Sequence, residues 1–407
     1  MTGSPSLAKV RKGSLCAGCG LCAGISDDAI AMQIDDAGFA RPEQKAALTA
    51  ETEAVFADAC PALRVEPWDG FDEVSAIDTY WGPSRRVLTG HATDGETRHT
   101  GSSGGAISAV AIHALESGLA KQVLQIVADP DRPLGNRVTI SSTKAEILGA
   151  AGSRYAPSSP LATIETFLDA GTPTVFVGKP CDVSALRRLA RHDARVDKVF
   201  PLKLSFFCGG IPSERGAERI VQEMGLEPRS VVNFRYRGNG WPGLTVAEDK
   251  DGRRGEMRYE DSWGRYLSSA VQFRCKICPD PVGGVADIAC ADAWYGGETG
   301  YPQFEEADGR SLIMVRTETG EHLVDDMVKA GSLAATSLDI REIDLMQPAQ
   351  ARRKRRISTR MAAWRAALRP VTDVSGLRVG EAAAREPLGI RLKEFAGTMR
   401  RIVQGRI

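Results

Sequence analysis

Nine cysteines in a 407-residue chain constrain the fold more than any other feature, and four of them form one pattern. Cys16-Ala-Gly-Cys19-Gly-Leu-Cys22 sets three thiols at two-residue intervals on a glycine-rich turn, and Cys60-Pro61 follows after a 37-residue excursion. Thiols so spaced can wrap one face of a cubane, with Gly18, Gly20 and Gly24 letting backbone amides approach the sulfides. A cysteine followed by proline completes the bacterial 4Fe-4S spacing, and loops in the excursion can bring it back. Four thiolates would also satisfy tetrahedral zinc, but the run of three with a distant Cys-Pro points to a cluster held by Cys16, Cys19, Cys22 and Cys60. The first residues lack the apolar core of a secretory signal, and an odd cysteine count without one fits metal or redox chemistry better than a disulfide framework. No stretch approaches the ~18 apolar residues of a membrane span. The expectation is therefore a cytoplasmic protein without a transmembrane segment.

Hydrophobic residues make up 43% of the chain, enough to bury cores in two or three domains. Residues 1–82 read as a ferredoxin-like iron-sulfur unit. Residues 83–340 alternate strand and helix patterns: Gln122 to Ala128, Thr174 to Gly178 and Leu202 to Phe207 as strands, Ala106 to Leu115, Leu161 to Leu168 and Ser184 to Ala190 as helices. A more strand-rich stretch follows, with Val231 to Arg237, Leu244 to Glu248 and Ser311 to Arg316. This predicts a mixed α/β body. Residues 341–407 read as a basic helical tail. Fifty-two basic residues balance 52 acidic ones, so no net field recruits nucleic acid. The balance is not local, because residues 351–407 hold 15 basic and 4 acidic residues. The run Arg352, Arg353, Lys354, Arg355, Arg356 and an apolar stripe of Leu392, Phe395, Met399, Ile402 and Val403 suit either a helix packed on the body or a surface that docks an acidic partner or a membrane face.

Of the other cysteines, Cys275-Lys-Ile-Cys278 is a two-ligand hairpin that needs two more ligands. Cys181 and Cys208 end predicted strands, where α/β proteins build sites, and either converge on that pair or serve as small buried residues. A cofactor site is suggested by Gly101-Ser102-Ser103-Gly104-Gly105 before the helix from Ala106, since a helix N-terminus attracts phosphate; a simple capping turn explains it equally. Ser153 and Tyr155 in Gly152-Ser-Arg-Tyr, and Arg237, Asn239 and Trp241 in the stretch Phe234 to Gly243, add groups suited to a nucleotide or flavin, though arginine and aromatic residues also pack for stability. Gly238, Gly240 and Gly243 spell G-x-G-x-x-G but lead into a strand, so the dinucleotide fingerprint lacks its helix. There is no phosphate-binding P-loop, no paired histidine spacing and no G-x-S-x-G elbow, which leaves hydrolytic chemistry without a constellation.

Together these motifs resemble the coenzyme F420-reducing hydrogenase and dehydrogenase beta subunits, and within that group the stand-alone reductases of chlorophyll-type tetrapyrroles, such as 7-hydroxymethyl chlorophyll reductase and divinyl reductase. The likeness rests on the Cys16 run with Cys60-Pro61, GSSGGAIS at Gly101, GSRY at Gly152, G-x-P-C at Gly178, FFCGGIPS at Phe206, FRYRGNGWPG at Phe234, and the Cys275 pair leading to Asp292-Ala-Trp294. It implies a non-covalent FAD and a second 4Fe-4S cluster on Cys181, Cys208, Cys275 and Cys278. Cys290, in an apolar segment that reads as a buried strand, is then the spare thiol. Lys179 stands where threonine is frequent, and Gly209 where histidine is frequent. Lys179 is expected to act as a cation near the flavin ring. The expected function is electron flow from a ferredoxin-like donor through two clusters and FAD to a small organic acceptor, a tetrapyrrole or other conjugated compound, in a chain that is free to form a homo-oligomer. The alternatives are an oxidoreductase of coenzyme F420 itself, or an electron-transfer subunit of a larger complex without its own substrate.

Overall fold

The computed structural model describes residues 3–71, 75–296, 303–405 and 407. A hairpin of β1 (Ile30–Ile34) and β2 (Ala40–Gln44) belongs to the first cysteine unit, and a shorter one pairs β3 (Ala76–Asp78) with β4 (Gly82–Ser84). The body then lays down β5 (Arg86–Ala92), β6 (Gln122–Ala128), β7 (Asn136–Ser141), β8 (Thr174–Val177) and β9 (Leu202–Phe206). A separate antiparallel sheet follows, with β10 (Val231–Arg235), β11 (Leu244–Asp249) and β12 (Arg254–Arg258). The chain returns to the main sheet with β13 (Ile288–Asp292), β14 (Ser311–Val315) and β15 (Leu333–Ser337).

The main sheet has eight strands in the order β15-β5-β14-β13-β9-β8-β6-β7. Its centre, β13, β9, β8 and β6, is parallel, and antiparallel strands flank it on both sides. The central strands are mostly apolar, as sheets covered on both faces require: β14 is buried along its whole length, and Val175, Phe176, Leu202 and Leu204 are sealed, while the buried Lys203 of β9 is bonded to Asp197 and the Phe200 carbonyl. The expected mixed α/β body is therefore present, and the expected helix from Ala106 runs from Ala106 to Glu116. The parallel strands all point their carboxyl ends the same way, and in such sheets ligands bind in the crevice beyond those ends. Here that edge carries the segments after β8 and β9, which hold Cys181 and Cys208.

The outer segments pack on this frame. Leu7, Val10, Leu15 and Phe56 share one buried cluster with Cys22, Cys60, Ile277, Ile357 and Met361, so the first cysteine unit and the helix Pro348–Ala366 have a common core. Trp364 donates from Nε1 to the Gly13 carbonyl at 3.1 Å, and Val65 N and Asp373 N exchange hydrogen bonds with the Asp373 and Leu63 carbonyls. The arginine run is spent on these contacts. Arg353 donates to the Cys208 and Gly209 carbonyls, buried Lys354 to the Pro279 carbonyl at 2.9 Å, and Arg355 and Arg356 pair with Glu386. The last helix, Leu388–Val403, uses its apolar stripe only in part: Phe395, Met399 and Ile402 are half-buried, whereas Leu392 and Val403 are 62% and 82% exposed.

Candidate active site

The first four cysteines converge. Cys16, Cys19, Cys22 and Cys60 line one small cavity with Phe56 and Pro61, and the last three are buried. Gly18 and Gly20 adopt positive φ angles of 75° and 88°, the left-handed region that lets the loop double back between thiols. Gly20 and Gly24 serve a different purpose from the expected one: a Cβ there would lie 2.7 Å from Ala162 N and 2.1 Å from the Leu161 oxygen. Their smallness seats the turn against the body, an approach fixed by Leu161 N donating to the Cys19 carbonyl and Ser159 Oγ to the Gly18 carbonyl, both at 3.0 Å. Cys60 follows the helix Ala50–Ala59, and its N–H still bonds the Phe56 carbonyl. Burial pushes its thiol up to about 12, and both Cys22 and Cys19 lie near enough to Cys60 to be raised by it in addition to their own burial.

The second group lies against the first. Cys208, on the turn after β9, is pushed up to about 12 by burial and then by Cys275 and Cys278 beside it. Cys181, in the first turn of the helix Pro180–Leu189, is raised by burial, by Asp182, and by both Cys208 and Cys19. It therefore stands between the two groups. Cys275 accepts from Ile211 N at 3.3 Å and Gln272 Nε2 at 3.5 Å, donors that would stabilise a thiolate. Among the described residues no three such side chains close on a point as they would round a single metal ion. Cys290 is on β13, packed among Ile288, Ile313 and Leu204, and its neighbourhood raises it to about 12 by burial alone.

Beyond the strand ends opens a cavity of about 760 Å³, inside the ~300–1,000 Å³ range of small-molecule sites. The Gly101–Gly105 turn and the first residues of the helix Ala106–Glu116 form one wall, with Ser108 facing in. The two serines of the turn are bonded to protein groups: Ser102 Oγ accepts from Ser153 N, and Ser103 Oγ meets Ser311 Oγ at 2.8 Å and the carbonyls of Ala291 and Arg310. Ser102 Oγ only accepts in that contact, so its hydroxyl proton is left for the cavity beside the backbone amides and the helix end, whereas the Ser103 hydroxyl is taken up by protein groups. Gly104 is the hinge behind it, since a Cβ there would meet Gly90 O at 2.7 Å. Arg235 lies beside Gly152 and Gly238 and leaves Nη1 buried without a partner. Gln350 lines the cavity and leaves Oε1 buried without a partner, whereas Arg235 is not among the lining residues.

The aromatic wall is richer than the motifs indicated. Tyr155, Tyr259, Trp263, Trp294 and Phe304 all line the cavity. Tyr259 and Trp263 come from a short helix and a π-helical turn, Ser262–Leu267, that no sequence pattern marked. Arg237 is sealed under them, bidentate to Asp292 at 2.7 Å twice, and 4.5 Å from the Tyr259 ring centroid. Trp241 does not face the cavity; its Nε1 donates to Asp292 Oδ1 at 2.7 Å and its ring stacks on Trp294 at 4.8 Å. Asn239 is exposed at a positive φ of 57° and is outside the lining. Lys179 lines the cavity but is engaged: Nζ sits 2.8 Å from Asp182 Oδ2 and 2.8 Å from Ser158 Oγ. Burial works against its charge, but Asp182 outweighs that and holds the ammonium above the usual lysine range. Cys208, Gly209 and Phe207 complete the floor, so the second cysteine group opens directly onto the cavity.

The models of the coenzyme F420 hydrogenase/dehydrogenase beta subunit, N-terminal and C-terminal parts, match residues 87–165 and 172–340. The chain belongs to this beta subunit family. It is 28% identical over 270 residues to the coenzyme F420 hydrogenase subunit beta of Methanococcus voltae, covering 64% of this chain and 86% of that one. It is also 28% identical over 247 residues to the F420-dependent formate dehydrogenase 1 subunit beta of Methanococcus maripaludis, where it spans 59% of this chain and 58% of the relative. A chain in the structure of the F420-reducing NiFe hydrogenase complex from Methanosarcina barkeri shares the fold, with a TM-score of 0.52 at 21% identity over 70% of this chain and 96% of that one. By their names the relatives are oxidoreductase subunits, and this beta-type chain has a redox role. No helix among the described residues is long and apolar enough to cross a membrane.

Proposed function

We propose that this chain is an electron-transferring beta-type subunit that exchanges electrons with coenzyme F420 or a closely related conjugated acceptor, using two 4Fe-4S clusters and FAD, and works with a partner protein. One observation carries the reading: Cys16 to Cys60, then Cys181 with Cys208, Cys275 and Cys278, then the aromatic cavity, follow one another in contact, as a relay of one-electron centres leading to a two-electron site requires. Bound clusters and flavin would supply that conversion of single electrons into pairs. The chain's own work is to hold them. Cys16, Cys19, Cys22 and Cys60 would ligate one cluster, and Cys181, Cys208, Cys275 and Cys278 the other. The amides at Gly101–Gly105 and Gly152 would receive phosphates. Arg237, locked by Asp292, supports the aromatic face. Lys179 and Asp182, paired at 2.8 Å, would present an ammonium donor and a carboxylate together at the cavity floor.

A second reading, reduction of a chlorophyll-type tetrapyrrole by the chain acting alone on electrons from a ferredoxin-like donor, is favoured by a single feature. Part of the cavity wall, Met346 to Arg353, lies beyond residue 340, outside the matched family segments, so the acceptor space is shaped by a segment of this chain's own. Anaerobically purified protein should hold about eight iron, about eight acid-labile sulfide and about one FAD per chain. Stoichiometric zinc with little iron would sink the relay. Loss of absorbance of coenzyme F420 on reduction by the purified chain supports the first reading, and turnover of a tetrapyrrole with no reaction of F420 replaces it by the second.

A further inference from the structure

Arg274 is sealed in the seam between the two cysteine groups, with 3% of its surface exposed. Its Nη2 donates to the Pro61 carbonyl at 2.8 Å and its Nη1 to the Ile277 carbonyl at 3.5 Å. The guanidinium thus joins the residue that follows Cys60 to the residue that precedes Cys278, while its own backbone precedes Cys275. Nε is also buried and has no partner. Among the described residues no carboxylate pairs with it. The Nη1 and Nη2 bonds put its guanidinium against the Cys60 end of the first group and the Cys275 to Cys278 turn of the second.

A buried cation without a counter-ion is costly, and removing a partner from such a charge is strongly destabilising. A chain tolerates one where something else supplies the negative charge. Cysteine thiolates around iron-sulfur cores are net anionic, and the two thiol groups flank Arg274. Of the other cations near the thiols, Arg353 donates to the Cys208 and Gly209 carbonyls of the second group, and Lys179 is paired with Asp182 at 2.8 Å. Arg274 alone among these bonds the chain beside a cysteine of each group and has no carboxylate partner among the described residues.

We infer that Arg274 is the shared counter-charge of the two clusters, a positioning residue that sets both reduction potentials together. An electron added to either centre adds negative charge beside a fixed positive one, so the guanidinium stabilises the reduced form of each and raises both potentials. Because one charge serves both, the two centres move in step and transfer between them does not become uphill. The uncommitted Nε–H is the donor left for sulfur on the cluster side.

This inference rests on the two-cluster reading above, and metal analysis of the unaltered protein tests that reading separately: zinc, or iron for fewer than two clusters, ends both. With both clusters loaded, the test is a redox titration followed by electron paramagnetic resonance on anaerobically purified full-length protein. Arg274→Gln should shift both midpoint potentials to more negative values, and Arg274→Lys, which keeps the charge, should shift them less. Unchanged potentials in a fully loaded Arg274→Gln protein overturn the role of Arg274 and leave the two-cluster reading standing. A shift of one centre only overturns its sharing. If Arg274→Gln does not retain iron, Arg274→Lys decides: full iron content with near-native potentials supports the counter-charge, whereas iron loss there as well assigns Arg274 to packing.

Discussion

At residue scale the ninth cysteine separates structural from functional thiols. Cys290 pairs in register with Phe206 on one side and Ile313 on the other, in the middle of the sheet, and nothing but burial acts on it. A serine there would bury a hydroxyl among aliphatic side chains at a cost of ~1–3 kcal/mol, but it would leave the thiol quartets intact. Cys290→Ser should lower the melting temperature and retain all iron. Cys181→Ser should cost about four irons, since it removes a ligand of one cubane. Iron analysis of both variants checks this, and loss of iron from Cys290→Ser would exchange the two roles. Spacing along the chain marked Cys16, Cys19, Cys22, Cys60 and the Cys275 and Cys278 pair, whereas Cys181 and Cys208 were joined to that pair only through the family likeness. Arg274 was not marked, since an arginine before Cys275 has no pattern, and only the approach of Pro61 shows what it does.

At the scale of elements, the glycine-serine turn combines backbone at the head of the helix Ala106–Glu116 with the Ser102 hydroxyl, which accepts from Ser153 N and lines the cavity, while Ser103 is tied to Ser311. Gly104 lets that turn rest on β5 and β14, where a Cβ would sit 2.7 Å from Gly90 O and 2.8 Å from Ser311 N. Gly104→Val should therefore cost ~1–3 kcal/mol through overpacking and release flavin through displacement of the turn. A thermal melt and the flavin released on denaturation measure both, and an unaltered melt would place the turn's tightness elsewhere. The strands Gln122–Ala128 and Ser311–Val315 were legible to within a residue or so from their apolar runs. The π-helical turn with Trp263 was not, because its sequence, Ser-Trp-Gly-Arg-Tyr-Leu, has no period.

At the scale of the whole molecule, the charge asymmetry of the chain is largely internal. Of the run Arg352 to Arg356, four residues hold carbonyls or carboxylates of the protein, and Arg352 lies at the cavity wall. Arg355→Gln should loosen the contact with Glu386 and lower the melting temperature without weakening a donor's binding. The exposed basic face lies elsewhere. Lys9 and Lys12 are exposed on the helix Pro5–Gly13, whose Gly13 carbonyl accepts from Trp364, the neighbour of exposed Arg365 at the end of the helix Pro348–Ala366; Leu368 beyond it is 84% exposed. These three cations make no ion pair among the described residues, and Cys16, the one half-buried thiol of its quartet, follows three positions after Gly13. An acidic ferredoxin-like donor should bind this face, more weakly as salt shortens screening to ~8 Å at physiological ionic strength. Lys12→Glu with Arg365→Glu should weaken binding about tenfold or more at low salt, as calorimetry would show. Equal binding by that double variant would move the donor to another face.

The sequence by itself determined the thiol pattern of Cys16, Cys19, Cys22 and Cys60 and the α/β character of the body, because each is local: spacing along a few residues and the period of an apolar run. It also carried the family, since motif order is a property of the chain. Only the tertiary structure decided which side chains of the glycine-rich loops face the cavity, that Trp241 donates to the Asp292 carboxylate that holds Arg237, and that the basic run bonds Cys208, Gly209, Pro279 and Glu386. Those are contacts between residues as far apart as Gly13 and Trp364 or Pro61 and Arg274. Burial and pairing across such distances depend on how the layers close, and no local pattern records that closure.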